Sequence, residues 1–281
     1  MQVKNFLAFI LFSSIFIAAC AVTFAMETNI ILGLPLNTLG FYSFIFGATL
    51  FQYNMHYVLK VTAAEDSARL AWTRKNKNVH YLLICIGFSL IIFSLFSFHL
   101  RHFYVLLCLG AVAFLYSFPA LPFGKKKRLK EYGILKIITL SLLWTLVTVW
   151  FPANNMPYNT GLFWLVFSKR FLFMLVLCLL FDMRDTEIDR KTGIRTFPVR
   201  FGIKNSYYFS YFILVIFLIL SFVQYYYWDR PEFLFAMIIS VVVTFIVIQL
   251  TKKYQSDFIF LAGIDGMMLL QALLVYLFSL K

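Results

Sequence analysis

The amino-acid sequence predicts an all-α integral membrane protein built from about nine transmembrane helices. Three observations carry this. Of the 281 residues, 62% are hydrophobic and 20% aromatic, and the mean hydropathy of +0.84 lies far above that of soluble domains. The apolar residues gather into runs of roughly 20, the length a helix needs to cross the hydrocarbon core. None of these runs alternates over about ten residues as a barrel strand does, and a helix is the other way to satisfy a backbone in lipid.

In chain order the runs lie near residues 6–24, 39–60, 80–98, 102–118, 134–152, 161–181, 206–225, 231–250 and 257–279. The first contains Ile17-Ala18-Ala19-Cys20, which resembles a lipoprotein cleavage site, but apolar sequence continues past Cys20 and reads as a helix that stays. The third and fourth are parted by a short polar turn around His99, Arg101 and His102. Lys136, near the start of the fifth, is expected to snorkel to the cytoplasmic surface. The sixth carries Lys169 and Arg170 roughly 18 Å before Asp182, at 1.5 Å per residue, and the ninth carries Asp265. Such depth is costly for lone charges, so an Arg170–Asp265 ion pair is expected. Cys20, Cys85, Cys108 and Cys178 all fall inside apolar runs, have no metal-ligand spacing and read as small packing residues. The pieces between runs reach about 20 residues at most, too short for a separate core, so residues 1–281 are expected to form one transmembrane domain.

A net charge of +13 invites a nucleic-acid reading, but the positions of the basic residues exclude it. Lys60, Arg69, Arg74, Lys75 and Lys77 flank the gap after the second run; Lys125, Lys126, Lys127, Arg128 and Lys130 follow the fourth. Arg184, Arg190, Lys191, Arg195, Arg200 and Lys204 follow the sixth, and Lys252 and Lys253 the eighth. The opposite side holds Arg101, Arg230 and Lys281. Basic loops stay cytoplasmic, which predicts an N-terminus inside and a C-terminus outside, with membrane lipid as the anionic partner. Short loops and the lack of a transit peptide fit a bacterial inner membrane.

The stretch Phe181 to Gly202, FDMRDTEIDRKTGIRTFPVRFG, concentrates acids at the end of the sixth run. On a continuing helix Asp182, Asp185 and Asp189, spaced i, i+3 and i+7, share one face. Stacked carboxylates repel unless arginines or a divalent cation offset them, and magnesium is commonly held by one or two carboxylates plus substrate phosphates. Arg184, Arg190, Lys191, Arg195 and Arg200 would grip phosphate oxygens. The plainer alternative is a solvated helix end with local pairs such as Asp185–Arg190, each worth roughly 0–1 kcal/mol.

The stretch from Asp182 to Gly202 resembles the second aspartate-rich motif of the UbiA-type intramembrane prenyltransferase superfamily. The resemblance implies a UbiA-like bundle of nine helices around a central cavity open to the cytoplasm. It also implies transfer of a prenyl group from a prenyl diphosphate to a lipophilic, typically aromatic, acceptor, with Mg2+ as cofactor. It assigns Asp185 and Asp189 as catalytic, Asp182, Asp185 and Asp189 as metal ligands, and Lys191 and Arg195 as diphosphate contacts. Tyr116-Ser-Phe-Pro119 through Lys125 is similar to the family's cluster at the substrate mouth, which implies substrate-binding roles for Tyr116 and Lys125; its other reading is a proline-ended helix before a basic loop. The first motif, N-x-x-x-D-x-x-x-D, is matched at Asn54 only: its Asp positions hold Val58 and Thr62, with Glu65 and Asp66 one turn later. Asn54 and Lys60 are then the substrate-binding candidates on that side.

Three readings stand at this point. The chain is a prenyltransferase; or, as Val58 and Thr62 suggest, a non-catalytic UbiA-like protein that binds lipid or assists a partner; or, on Lys169, Arg170 and Asp265 alone, a transporter.

Overall fold

The computed structural model describes residues 2–60, 67–98, 100–117, 133–154 and 157–280, with the side chains of 2–4, 60, 100–101 and 114–117 outside the description. Every regular element among them is a helix. α1 (Gln2–Phe12) and α2 (Ile15–Ile31) meet at a 60° bend. α3 (Leu39–Lys60), the short α4 (Ala68–Lys75) and α5 (Lys77–Leu95) follow, then α6 (Leu100–Ser117), α7 (Ile134–Ala153) and α8 (Thr160–Arg184). Two short helices, α9 (Thr186–Lys191) and α10 (Phe197–Phe201), precede α11 (Ile203–Trp228), α12 (Pro231–Lys253) and α13 (Ile259–Ser279).

Helix occupies each apolar run, yet among the described residues only α5, α7, α8, α11, α12 and α13 are long and apolar enough to cross a membrane. The bent α1–α2 pair adds a seventh. The nine expected spans are therefore not confirmed, because α3 and α6 fall outside that test.

Local chemistry sets several helix starts. Asn159 Oδ1 accepts from the Leu162 amide at 2.9 Å to open α8, and Ser67 Oγ accepts from the Leu70 amide at 3.2 Å to open α4. Pro231 stands at the first turn of α12, where its missing N–H costs nothing. Packing then decides which helix is central: the apolar stretch of α8 is 67% buried, that of α5 only 22%. Phe96, Leu107, Phe212 and Tyr226 turn outward, as suits a surface that meets lipid. α3 and α5 approach backbone to backbone at Gly47 and Gly87, where an added Cβ on Gly47 would come within 2.8 Å of the Gly87 carbonyl.

The α1–α2 bend has identifiable causes. Ser14 sits in the left-handed region at φ 66, and two side chains brace it from outside the pair. Asn54 Nδ2 donates to the Ser13 carbonyl at 3.0 Å, and Arg69 Nη2 donates to Ser14 Oγ at 2.7 Å. His80 Nδ1 in turn donates to Asn54 Oδ1 at 2.6 Å.

At the depth of Lys169 and Arg170 the structure corrects the expected ion pair. α2 continues to Ile31, beyond the residue-24 limit read from the sequence, and carries Glu27 into the core. Arg170 pairs with Glu27 at 3.3 Å, not with Asp265. It also donates to the Phe24 carbonyl at 2.9 Å and lies over the Phe24 ring. Gln271 donates to Glu27 Oε1 at 2.9 Å, and Lys169 to Gln224 Oε1 at 2.8 Å. This polar layer joins α2, α8, α11 and α13. Cys20 and Cys178 are packing residues as expected, whereas Cys85 and Cys108 face outward.

Removing one partner of a buried pair costs about 3–5 kcal/mol, whereas replacing both by apolar groups costs far less. Glu27→Gln should therefore lower the detergent melting temperature more than Glu27→Gln combined with Arg170→Met; simply additive losses would dismiss the pairing. At the α3–α5 contact, Gly47→Leu should cost about 1–3 kcal/mol through overpacking, read as a lower melting temperature, while Gly110→Leu, in open space on α6, should leave it unchanged.

Candidate active site

The acidic stretch caps the central helix. α8 ends at Arg184, Asp185 turns out of helical geometry, and α9 begins at Thr186. The turn interrupts the regular helix that the spacing assumes, yet Asp185 stays within electrostatic reach of Asp182, Asp189 and Lys136. Asp182 and Asp189, both buried, converge on one ammonium: Lys136 Nζ lies 2.9 Å from Asp182 Oδ1 and 3.1 Å from Asp189 Oδ2. Asp185 makes a two-point contact with Arg184, accepting from Arg184 Nε at 2.8 Å and Arg184 Nη2 at 3.3 Å. The plain alternative of an Asp185–Arg190 pair is not formed, because Arg190 meets Glu187 at 3.3 Å.

Lys136 was expected to reach toward the surface, and the structure turns it inward. The reason is local. Gly133 holds φ +53, and a Cβ there would run into the Arg195 carbonyl, so the start of α7 is packed against the segment that follows the acidic motif. One turn later, Lys136 faces the two carboxylates. Burial pushes the Asp189 carboxyl above the usual carboxylate range, with the Lys136 ammonium working in the opposite direction.

A second charged group adjoins the first through Arg184, whose Nη1 is 3.8 Å from Asp257 Oδ1. Asp257 Oδ2 accepts from the Arg69 amide at 3.1 Å, and the Arg69 guanidinium lies 3.7 Å over the Tyr57 ring. Asp265, at the start of the regular turns of α13, is buried within the electrostatic reach of Arg69 and Arg184. Five carboxylates (Asp182, Asp185, Asp189, Asp257, Asp265) thus face three basic groups (Lys136, Arg69, Arg184) at this end of the bundle. Sequence reading had treated Arg69 and Lys136 as topology markers; the pattern of neighbours gave no signal that either is drawn inward.

The other sequence candidates separate. Lys191 and Arg195 are exposed beside the acidic turn. Asn54 is fully buried, with its amide donors spent on Ser13 and Leu50 and its oxygen on His80. Val58 is half-buried on α3. The side chains of Lys60 and Tyr116, and all of Thr62, Glu65, Asp66 and Lys125, lie outside the described residues.

No group of three or more His, Cys, Asp or Glu among the described residues could hold a metal by itself. The donor set nonetheless fits magnesium of the kind completed by substrate phosphates: two convergent carboxylates, one of which, Asp182, has its buried Oδ2 without a hydrogen-bond partner among the described residues.

Comparisons with known proteins bear on both fold and family. A UbiA homolog from Archaeoglobus fulgidus, solved bound to GPP and Mg2+, superposes with a TM-score of 0.67 at 15% identity, over 98% of this chain and 100% of that one. A digeranylgeranylglyceryl phosphate synthase gives 0.59 at 16% identity over 99% and 98%. A UbiA homolog from Aeropyrum pernix K1, in its apo form, gives 0.60 at 15% over 94% and 95%. At these identities the likeness establishes the fold. No curated protein sequence matches the chain. The profile of the UbiA prenyltransferase family matches residues 73–262, about two thirds of the length, and on that match the chain belongs to the UbiA prenyltransferase family.

Proposed function

We propose that the protein transfers a prenyl group from a prenyl diphosphate to a lipophilic, typically aromatic, acceptor, at the end of the bundle where Asp182 and Asp189 converge. The observation that carries this reading is that convergence: two buried carboxylates at the tip of the central helix, bordered by Lys136, Arg184 and Arg69. Carboxylates so arranged, with basic groups beside them, suit a metal-bound diphosphate.

The reaction separates charge. The allylic carbon–oxygen bond breaks with its electron pair passing to the diphosphate oxygen; the acceptor then supplies the pair for the new bond to carbon and loses a proton. Mg2+, held by Asp182, Asp185 and Asp189, would neutralise charge developing on the leaving diphosphate. Lys191 and Arg195, exposed at the mouth, donate to phosphate oxygens that project outward, with Lys60, Tyr116 and Lys125 assigned to the same grip. Asn54 acts through the bend it braces, since its donors are already bonded. Phe181 and Phe260 turn their ring faces to the Arg184 guanidinium and so help hold that cation beside the site. By the distribution of basic loops this mouth faces the cytoplasm, with the N-terminus on the same side, in a bacterial inner membrane.

Val58 favours a second reading, a non-catalytic relative that binds prenyl lipid or assists a partner, because α3 offers no carboxylate at that position. One series separates the two. Purified protein should bind geranyl diphosphate in a magnesium-dependent way, and Asp185→Asn/Asp189→Asn should weaken that binding at least tenfold and abolish diphosphate release. Binding indifferent to both magnesium and the substitutions would overturn the prenyltransferase assignment; magnesium-dependent binding without release across a panel of acceptors would favour the second reading.

A further inference from the structure

We propose that Lys136 is a resident counter-ion that exchanges partners: in the substrate-free protein it bridges Asp182 and Asp189, and when prenyl diphosphate binds it leaves the carboxylates and donates to the diphosphate oxygens. This inference rests on the diphosphate-binding reading above and adds to it a substrate-binding residue that the acidic motif itself does not contain.

Four features of the site support the exchange. Asp182 and Asp189 are both nearly inaccessible, and two buried carboxylates aimed at one point repel strongly unless a cation lies between them. The Lys136 ammonium lies there, within 3.1 Å of both. The start of α7 that carries it is packed closely against the Arg195 carbonyl at Gly133.

The pairing is also of the exchangeable kind. An ammonium is a compact point charge with three rotatable donors on a flexible stem, and it can trade one oxygen for another with little change of backbone. Arg184 on Asp185 is the contrast: a planar two-point contact that fixes orientation. The Lys136 side chain also retains 18% exposure, whereas the carboxylates it bridges retain 4% and 7%, so it has a path toward the mouth that they do not.

The fourth feature is the oxygen left over. Asp182 Oδ2 is buried with no hydrogen-bond partner among the described residues, so the lysine satisfies the pair only in part. A divalent cation competes for the same oxygens with twice the charge. The displaced ammonium would then stand one side-chain length from those carboxylates, where it neutralises diphosphate from the α7 side. On α3 the first-motif position at Val58 supplies neither charge nor a metal ligand.

The test measures metal binding to the substrate-free protein, independently of turnover. Mn2+ binding is followed by electron paramagnetic resonance in wild type, Lys136→Met and Lys136→Arg. Removing the resident cation should tighten Mn2+ binding about tenfold in Lys136→Met, whereas Lys136→Arg, which keeps the charge in a fixed fork, should bind Mn2+ no more tightly than wild type; geranyl diphosphate affinity in the presence of magnesium should fall about tenfold in Lys136→Met. Unchanged or weaker Mn2+ binding by folded Lys136→Met overturns the exchange but leaves the diphosphate site standing. If wild type binds neither Mn2+ nor geranyl diphosphate, both proposals fall.

Because Lys136→Met leaves two buried carboxylates facing each other, a wild-type measurement guards against loss of fold. Acetylation of Lys136, quantified by mass spectrometry, should accelerate several-fold when Mn2+ is added without substrate. A rate that stays constant at saturating Mn2+ overturns the proposal.

Discussion

A charge buried among apolar helices must find its counter-charge within the protein, and that constraint organises this bundle. Three ionic arrangements, one fully buried and two partly exposed, cross-link it. Glu27 and Arg170 tie α2 to α8, and Gln271 brings in α13. Lys136 ties α7 to the α8–α9 turn through Asp182 and Asp189. Arg69, hydrogen-bonded to Ser14 and adjoining Asp257, links the α1–α2 bend to the loop before α13, and Asp257 leads on to Arg184 and Asp185. Apolar packing alone discriminates poorly between helices in lipid, because lipid tails are as apolar as leucine. Charged and amide pairs discriminate by partner.

The first arrangement lies deep, and most of its polar groups find partners inside the bundle, while Glu27 Oε2 meets Arg170 as an ion pair without a hydrogen bond. Arg170 uses its donors on Glu27, the Phe24 carbonyl and Thr28, while Lys169 meets Gln224. Those were the residues that first suggested a transport pathway; in the structure they act as a polar clamp on four helices. The other two arrangements lie at the acidic end, where Asp182 and Arg69 each keep a buried atom without a hydrogen bond among the described residues. What separates them from the deep layer is access: the Lys136, Arg184 and Asp185 side chains retain 18%, 23% and 28% exposure, whereas those of Arg170 and Glu27 retain 2% and 1%.

How much of this was legible in the sequence follows from the range of each signal. Helical fold class was legible because run length and composition are local. The Asp182–Gly202 stretch was legible because its chemistry sits within some twenty consecutive residues. The partner of Arg170 was not, since Glu27 is 143 positions away in the chain and lies just beyond where the first apolar run was taken to end. The inward turn of Lys136 is illegible for a related reason: a lysine near a helix end ordinarily snorkels outward, and the carboxylates that receive it here lie some fifty positions further along the chain. Asn54 was noticed as a motif residue, but its bond to Ser13 depends on a bend that no periodicity in the first run announces.

The three aspartates of the motif stand within electrostatic reach of one another but differ in the basic group that contacts each. Asp185 meets a guanidinium that grips both its carboxylate oxygens, and Asp182 and Asp189 share a single ammonium between them. The first contact is directional and anchors the turn to the Arg69–Asp257 group; the second is a point charge on a flexible stem. Under the proposed function the site holds a highly charged leaving group and then releases it, and the two kinds of contact suit those two tasks: the arginine fork keeps the geometry, and the lysine is the contact suited to exchange partners.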